Sequence, residues 1–313
     1  MSAEVRFGFV ILHYAAYEMS VNCAERILTL FSKDGIKIVI VDNASVNGSG
    51  ASLRERYKNH ASVEVLLNHQ NLGFAQGNNI GYLYLKANYD CDFIIVLNND
   101  VLVEQQDFLE KIQDIYKEKG FAVLGPDIYS PKLRDSQSPT YRRDVENLYG
   151  RKPEDVREIN RRLSNFNSKR YYYQLRHMLF GWVRKFVPSK SVKERMSASR
   201  GSVDFSEDME NVVLHGACYV FSREFIKARS LAFNPDTFMY FEEDILHYEC
   251  MQSGLKLLYS PRVKVTHLED VSTDSVYGAS FRKTMFVNKH LEHSTAVYLD
   301  LVAEDLFGRG GGY

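Results

Sequence analysis

Three short polar residues, Asn98-Asn99-Asp100, follow directly on the apolar run Phe93-Ile94-Ile95-Val96-Leu97. Such a run of mostly β-preferring residues reads as a strand buried on both faces, as in a parallel sheet. The triplet then stands at the strand's carboxyl end, where open α/β sheets bind ligands. Asp100 is a carboxylate on a rigid strand end with a loop behind it, suited to holding a divalent cation through oxygen. Taken alone, the triplet fits a plain polar exit from strand to loop equally well. A second acidic group, Glu242-Glu243-Asp244, opens a helix marked by Ile245, Tyr248 and Met251. Acids in a first helical turn often only complement the helix dipole. Here Phe238, Tyr240 and Phe241 flank them, and aromatic neighbours desolvate a carboxyl and push its pKa toward a general base's working range. His267 follows two short strand-like runs, a position more often structural than chemical.

The elements that must position these groups are legible in the apolar pattern. Residues 6–12, 37–41, 63–67, 93–97 and 121–124 read as strands. Residues 18–31, 53–58, a stretch ending near Asn88 and a segment from Asp107 to Gly120 read as helices, the last opened by Asp107 with Glu110 three residues on. This alternation predicts a parallel sheet with right-handed crossovers. His13-Tyr14, Asp42, Asn71 to Gly73 and Asn98 to Asp100 all follow carboxyl ends of strands. They should converge on one crevice, which raises the case for chemistry at Asp100.

Neither GxGxxG after the first strand nor GxxxxGK[ST] is present, which disfavours a dinucleotide dehydrogenase and a P-loop NTPase. A nucleotide in the crevice would need its diphosphate neutralised by a metal or by side chains. The net charge of −1 offers no field for nucleic acid. The four cysteines are widely spaced and form no CxxC pair, so buried reduced thiols and a reducing cytosol are expected. No signal-peptide pattern and no apolar run of about 20 residues, as a bilayer span requires, is visible. Between residues 131 and 208 the chain turns rich in Arg, Lys, Ser and Tyr. There Leu175, Met178, Leu179, Trp182 and Phe186 share one helical face flanked by basic residues. That pattern suits an interfacial membrane helix, or a helix packed on its own protein.

Seven stretches in this order resemble family 2 glycosyltransferases of the GT-A fold, closest to bacterial surface-polysaccharide and rhamnosyltransferase-like members. They are 10–14, 41–45, 71–79, 97–100, 215–217, 240–244 and His267. The resemblance implies a mostly parallel α/β sheet flanked by helices, with a helical insertion and C-terminal helices. It divides the chain into a nucleotide-sugar half (1–130), an insertion contacting membrane or acceptor (131–208), an acceptor-binding and catalytic half (209–270) and C-terminal helices with a tail (271–313). It implies that His13, Tyr14, Asp42, Asn71, Gly73 and Asn78 help to hold the nucleotide. Asn98, Asn99 and Asp100 take the place of the DXD motif, with Asn98 in place of its first acid. Asp100 and His267 would hold Mg2+ or Mn2+, and Asp244, beside Glu243, would be the catalytic base. The residues themselves select only one of that pair, since neighbouring helical positions differ by about 100°.

The expected reaction is inverting transfer from a dTDP- or UDP-sugar to a saccharide acceptor. The acceptor would be lipid-linked, with the enzyme in the cytoplasm or on the inner face of the cell membrane. A nucleotidyltransferase would want more acids and a basic Gly-rich loop. A catalytically inactive sugar-binding protein of the same fold would have little reason to retain Asp100 and Glu243-Asp244.

Overall fold

The computed structural model describes residues 6–31, 35–140, 148–169, 172, 204–269 and 281–308. The first half alternates as expected: β1 (Phe7–His13), α1 (Tyr17–Leu30), β2 (Lys37–Asp42), α2 (Ser49–Tyr57), β3 (Val63–Leu67), α3 (Gly73–Asn88) and β4 (Phe93–Asn98). A two-residue strand β5 (Val101–Leu102) follows, then α4 (Phe108–Lys119) and β6 (Val123–Ser130). The second half adds β7 (Asp135–Ser136), α5 (Pro153–Ser168), β8 (Met209–Glu210), β9 (Cys218–Ser222), α6 (Arg223–Ala228), α7 (Glu242–Gln252), β10 (Leu257–His267) and α8 (Phe281–Gly308).

Among the described residues the strands form one sheet of order β3-β2-β1-β4-β9-β6-β10-β5. β1 pairs in parallel with both β2 and β4, and β2 in parallel with β3. The crossovers therefore diverge from β1, and a crevice is expected above the carboxyl ends of β1 and β4. Strand β9 lies antiparallel between β4 and β6, so the sheet is mostly but not wholly parallel. Both faces are covered. Phe9, Ile11, Ile38, Ile40 and Ile95 point into one core layer with Ile27 of α1 and Ile112 of α4. Their alternating neighbours Val10, Val39, Val41 and Ile94 point into the other, with Tyr82 and Leu85 of α3. The continuous apolar runs have this cause: each strand has two buried faces.

Several boundaries differ from the sequence expectation. The two runs at 256–259 and 263–265 form one strand, β10, whose register against β6 shifts between Ser260 and Lys264. Only the last part of the apolar stretch 212–221 is extended, as β9. Asp107 caps α4 in position without a side-chain capping bond. Within 131–208, α5 packs on α8, and the Asn160 amide donates to the Glu292 carbonyl and Thr295 Oγ1, both at 2.9 Å. The basic amphipathic stretch 175–186 lies outside the described residues. Among the described residues no helix is long and apolar enough to cross a membrane.

Candidate active site

The strand ends do converge. A crevice of about 350 Å³ opens above β1 and β4, lined on one side by Tyr14, Asn71, Gly73, Asn98, Asn99 and Asp100. Phe238, Met239, Tyr240, Glu242, Glu243 and Phe286 line the other, with His215, Gly216 and His267 between. The Asn98 amide donates to the Ala217 carbonyl at 3.0 Å, and the Asn99 side chain donates to Ser20 Oγ at 3.0 Å. The triplet is thus pinned to β9 on one side and α1 on the other.

Asn43 carries the loop architecture. Its Nδ2 donates to Asn71 Oδ1 and the Gly73 carbonyl, each at 2.9 Å, while its Oδ1 accepts from Asn68 Nδ2 and the Leu72 amide. One buried amide therefore joins the loops after β2 and β3. Gly73 sits at φ +75°, and a methyl group there would lie 2.0 Å from the Phe238 carbonyl oxygen. That carbonyl accepts the Phe74 amide at 2.6 Å. Only glycine allows this approach, so Gly73 welds the start of α3 to the segment that precedes the acidic helix. Asn79 makes the same connection by accepting the Ala232 and Phe233 amides at 3.0 and 2.9 Å.

The acidic helix is entered through a bent backbone. Tyr240 and Phe241 both have positive φ, +71° and +74°, conformations that cost a bulky residue on the order of 1–3 kcal/mol each. The burial of Phe241 with Val156 of α5 and Tyr298 of α8 offsets part of that. The bend decides which acid faces the crevice. Glu243 lines it, and Gly216 makes room: a methyl group at 216 would lie 2.9 Å from Glu243 Oε1. Asp244, the resemblance's choice as base, is only 2 % exposed, does not line the crevice, and has Oδ1 3.9 Å from Arg151 Nε. The ~100° step between successive helical residues turned it toward α5 and α8 instead. Glu242 also lines the crevice and is buried. Burial, then the neighbouring Glu243, pushes its carboxyl up to about 8. The desolvation expected of this turn thus acts on Glu242.

Asp100 and His267 meet through the small antiparallel pairing of β5 with β10, in which Val101 is opposite His267. Asp100 Oδ1 lies 3.3 Å from His267 Nε2. His267 Nδ1 is 2.8 Å from Gln137 Oε1, an acceptor, so the Nδ1 proton goes to Gln137. In the neutral ring Nε2 then carries its lone pair toward a carboxylate oxygen. Two acceptors facing one another at this spacing suit a shared cation, since octahedral ligands ~2.1 Å from Mg2+ lie about 3 Å apart. Among the described residues no group of three His, Cys, Asp or Glu side chains could hold a metal. The residues present fit a divalent cation that takes its remaining ligands from substrate or water.

Three expected nucleotide contacts are not at the crevice. His13 is fully buried with Nδ1 2.7 Å from Ser20 Oγ and Nε2 2.8 Å from Ser49 Oγ. Burial lowers its pKa to about 4 against the opposing pull of Asp42, so it is a neutral internal strut. Asp42 is 5 % exposed and accepts the Ser45 amide at 3.2 Å. Asn78 is buried and donates to the Phe74 carbonyl at 3.0 Å. All three shape the loops from behind. Conversely, Phe286 reaches the crevice from α8.

The chain matches the family model described as glycosyl transferase family 2 over residues 9–197, more than half of its length. It belongs to that family. The sheet order, the strand-end crevice and the acidic helix are the form this GT-A architecture takes here. One solved structure, "Crystal structure of GalNAc-T7 with UDP, GalNAc and Mn2+", superposes with a TM-score of 0.52 at 14% identity, covering 86% of this chain and 45% of that one. Another, S. aureus TarS 1-349 in complex with UDP-GlcNAc, gives 0.37 at 16% identity over 44% of this chain and 38% of that chain. The chain thus spans less than half the length of either. No curated protein matches it.

Proposed function

We propose that this chain is an inverting glycosyltransferase that moves a sugar from a UDP- or dTDP-linked donor to a saccharide acceptor. The observation that carries this reading is the crevice itself. A carboxylate–imidazole pair, Asp100 and His267, and a helix-borne carboxylate, Glu243, line one cavity above parallel strand ends. Family membership and a GT-A neighbour that holds UDP and Mn2+ support it.

In this reading Glu243, rather than Asp244, accepts the proton of the acceptor hydroxyl. The acceptor oxygen forms a bond to the anomeric carbon while that carbon's bond to the diphosphate oxygen breaks, and configuration inverts in the single displacement. General-base assistance of this kind contributes roughly 10²- to 10⁴-fold. Asp100 and His267 would hold Mg2+ or Mn2+, which supplies charge neutralisation for the diphosphate. Asn98, replacing an acid, leaves the pair with one carboxylate charge. Tyr14, Asn71 and Asn43 face the nucleotide side.

The finer assignment rests on the sequence resemblance: surface-polysaccharide synthesis in a bacterium (capsule, O-antigen or cell wall), with rhamnosyltransferase-like members nearest. It brings with it a lipid-linked acceptor and action at the inner face of the cell membrane. The same source supports 1–130 as the nucleotide-sugar half, 131–208 as the insertion, 209–270 as the catalytic half and 271–313 as C-terminal helices. The test is a thermal-shift panel of UDP- and dTDP-sugars with Mg2+ or Mn2+, followed by donor turnover with Glu243→Gln. A ligand that binds N but not U raises the melting temperature by mass action. Absence of stabilisation by every nucleotide sugar would remove the reading.

A further inference from the structure

Glu242 does nothing in the reaction as drawn, yet it is the most unusual carboxyl in the crevice. It lines the cavity while being 6 % exposed. Its Oε1 is buried and has no hydrogen-bond partner among the described residues. Thr237 and the residue's own backbone amide interact with the carboxyl, and Oε1 is still left without a partner. A buried polar atom without a partner is costly. A chain that merely needed an acid for the helix dipole could leave it in water. Here the backbone is instead bent through two successive positive-φ aromatic residues, Tyr240 and Phe241, immediately before it. Phe238, Met239 and Phe286 line the same crevice.

We infer that Glu242 is a sugar-recognition residue whose buried Oε1 takes a hydroxyl of the bound saccharide. The inference rests on the glycosyltransferase reading above. The hydroxyl belongs either to the donor sugar or to the acceptor, and both offer the same chemistry: an alcohol between a carboxyl and an apolar wall. The carboxyl acts in its neutral form. The titratable groups sharing its crevice are Glu243 on its own helix, Asp100, His215, His267, Tyr14 and Tyr240. His290 of α8 stacks on Phe238 behind it, rings 4.4 Å apart. Burial and Glu243 both oppose ionisation of Glu242. A neutral Glu242 both donates to and accepts from an alcohol.

The experiment uses the full chain with Glu242→Leu and Glu242→Gln. In the donor arm, affinities for UDP and dTDP are compared with those for UDP-glucose, UDP-N-acetylglucosamine and dTDP-rhamnose. In the acceptor arm, KM is measured for methyl glycosides that accelerate donor consumption. Glu242→Leu should lose about tenfold in one arm, the scale of a single hydrogen bond to a neutral group, with bare-nucleotide affinity kept. The arm that moves identifies the source of the hydroxyl. Glu242→Gln, whose amide imitates the neutral acid, should recover most of that loss. It should also flatten the decline of wild-type kcat/KM as pH rises through about 8. Unchanged sugar discrimination and unchanged methyl glycoside KM in a folded Glu242→Leu would overturn the inference. So would an alkaline decline that Glu242→Gln leaves in place, and this second measurement decides if the leucine variant fails to fold. A wild type that distinguishes no nucleotide sugar from its nucleotide would instead remove the underlying reading, and the inference with it.

Discussion

The two walls of the crevice are held by different means. Asn98, Asn99 and Asp100 stand at the end of β4, a strand hydrogen-bonded to β1 and β9 and buried on both faces. Their position follows from the strand, and the strand from its apolar run. Glu242 and Glu243 hang on a bend, with Tyr240 and Phe241 in the left-handed region. That bend is kept in place by contacts from remote segments. Gly73 and Phe74 hold the Phe238 carbonyl, and Val156 and Tyr298 hold Phe241. Substitutions far from the acids should therefore disturb catalysis more readily than substitutions far from Asp100. The strand-end wall inherits the stability of the core, whereas the acidic wall depends on three elements meeting correctly.

The largest expected effect tests the acidic wall directly. Glu243→Gln should lower kcat by roughly 10²- to 10⁴-fold with donor affinity retained, measured by transfer rate beside nucleotide-sugar binding. Near-normal turnover in that variant, with collapse in Asp244→Asn, would return the base to Asp244 and require the turn to rotate on substrate binding. Asp100→Ala probes the other wall. It removes the carboxylate of the Asp100–His267 pair and should cost roughly 10²-fold or more in turnover, and chelation of divalent metal should inhibit the wild type. Full activity in EDTA would mean that side chains alone hold the diphosphate.

The weld between the walls comes next. Gly73→Ala introduces a positive-φ alanine whose methyl would overlap the Phe238 carbonyl. It should destabilise the fold by about 2–5 kcal/mol, read as a drop in melting temperature, and should slow turnover in whatever remains folded. A fully stable, fully active variant would show that the walls are independently held.

The struts behind the strand-end wall give a pH effect of known sign. His13 has a folded pKa of about 4, below the ordinary value of 6.5, so the unfolded chain takes up a proton first as pH falls. Stability should therefore decline between pH 6.5 and 4, by up to about 3 kcal/mol. His13→Gln should flatten that part of the stability curve in denaturant titrations. The smallest effect is expected for Asp244→Asn. It should weaken the contact with Arg151 and lower kcat less than about tenfold, and a loss as large as that of Glu243→Gln would erase the distinction drawn between the two acids.

Much of the strand-end wall was legible before any tertiary information. The runs at 37–41, 63–67 and 93–97 appear as β2, β3 and β4 with bounds close to those expected, and Asn98 to Asp100 lie where a strand end must put them. The same logic led to His13, Asp42 and Asn78, which are buried and are not among the residues lining the crevice. Standing at or near a strand end gives a residue a direction only to within the alternation of the strand and the path of the loop. His13 alternates inward, beneath Ser20 and Ser49. The acidic wall was legible as a cluster but not as an orientation, because periodicity gives relative angles on a helix and says nothing about the helix's own rotation.

By itself, then, the sequence determined the order of elements and the side of the sheet on which polar groups collect. Both follow from local apolar patterning, with a period of two on strands and 3.6 on helices. It also determined that a carboxylate would stand at the end of β4. Only the tertiary structure decided which groups meet. Asp100 reaches His267 through a two-residue strand pairing that carries almost no sequence signal. Strand β9 reverses direction inside a parallel sheet. Glu243 faces the crevice and Asp244 does not, because Phe241 is anchored between α5 and α8. These are contacts between segments far apart along the chain, set by packing and steric fit, and no local window of sequence contains both partners.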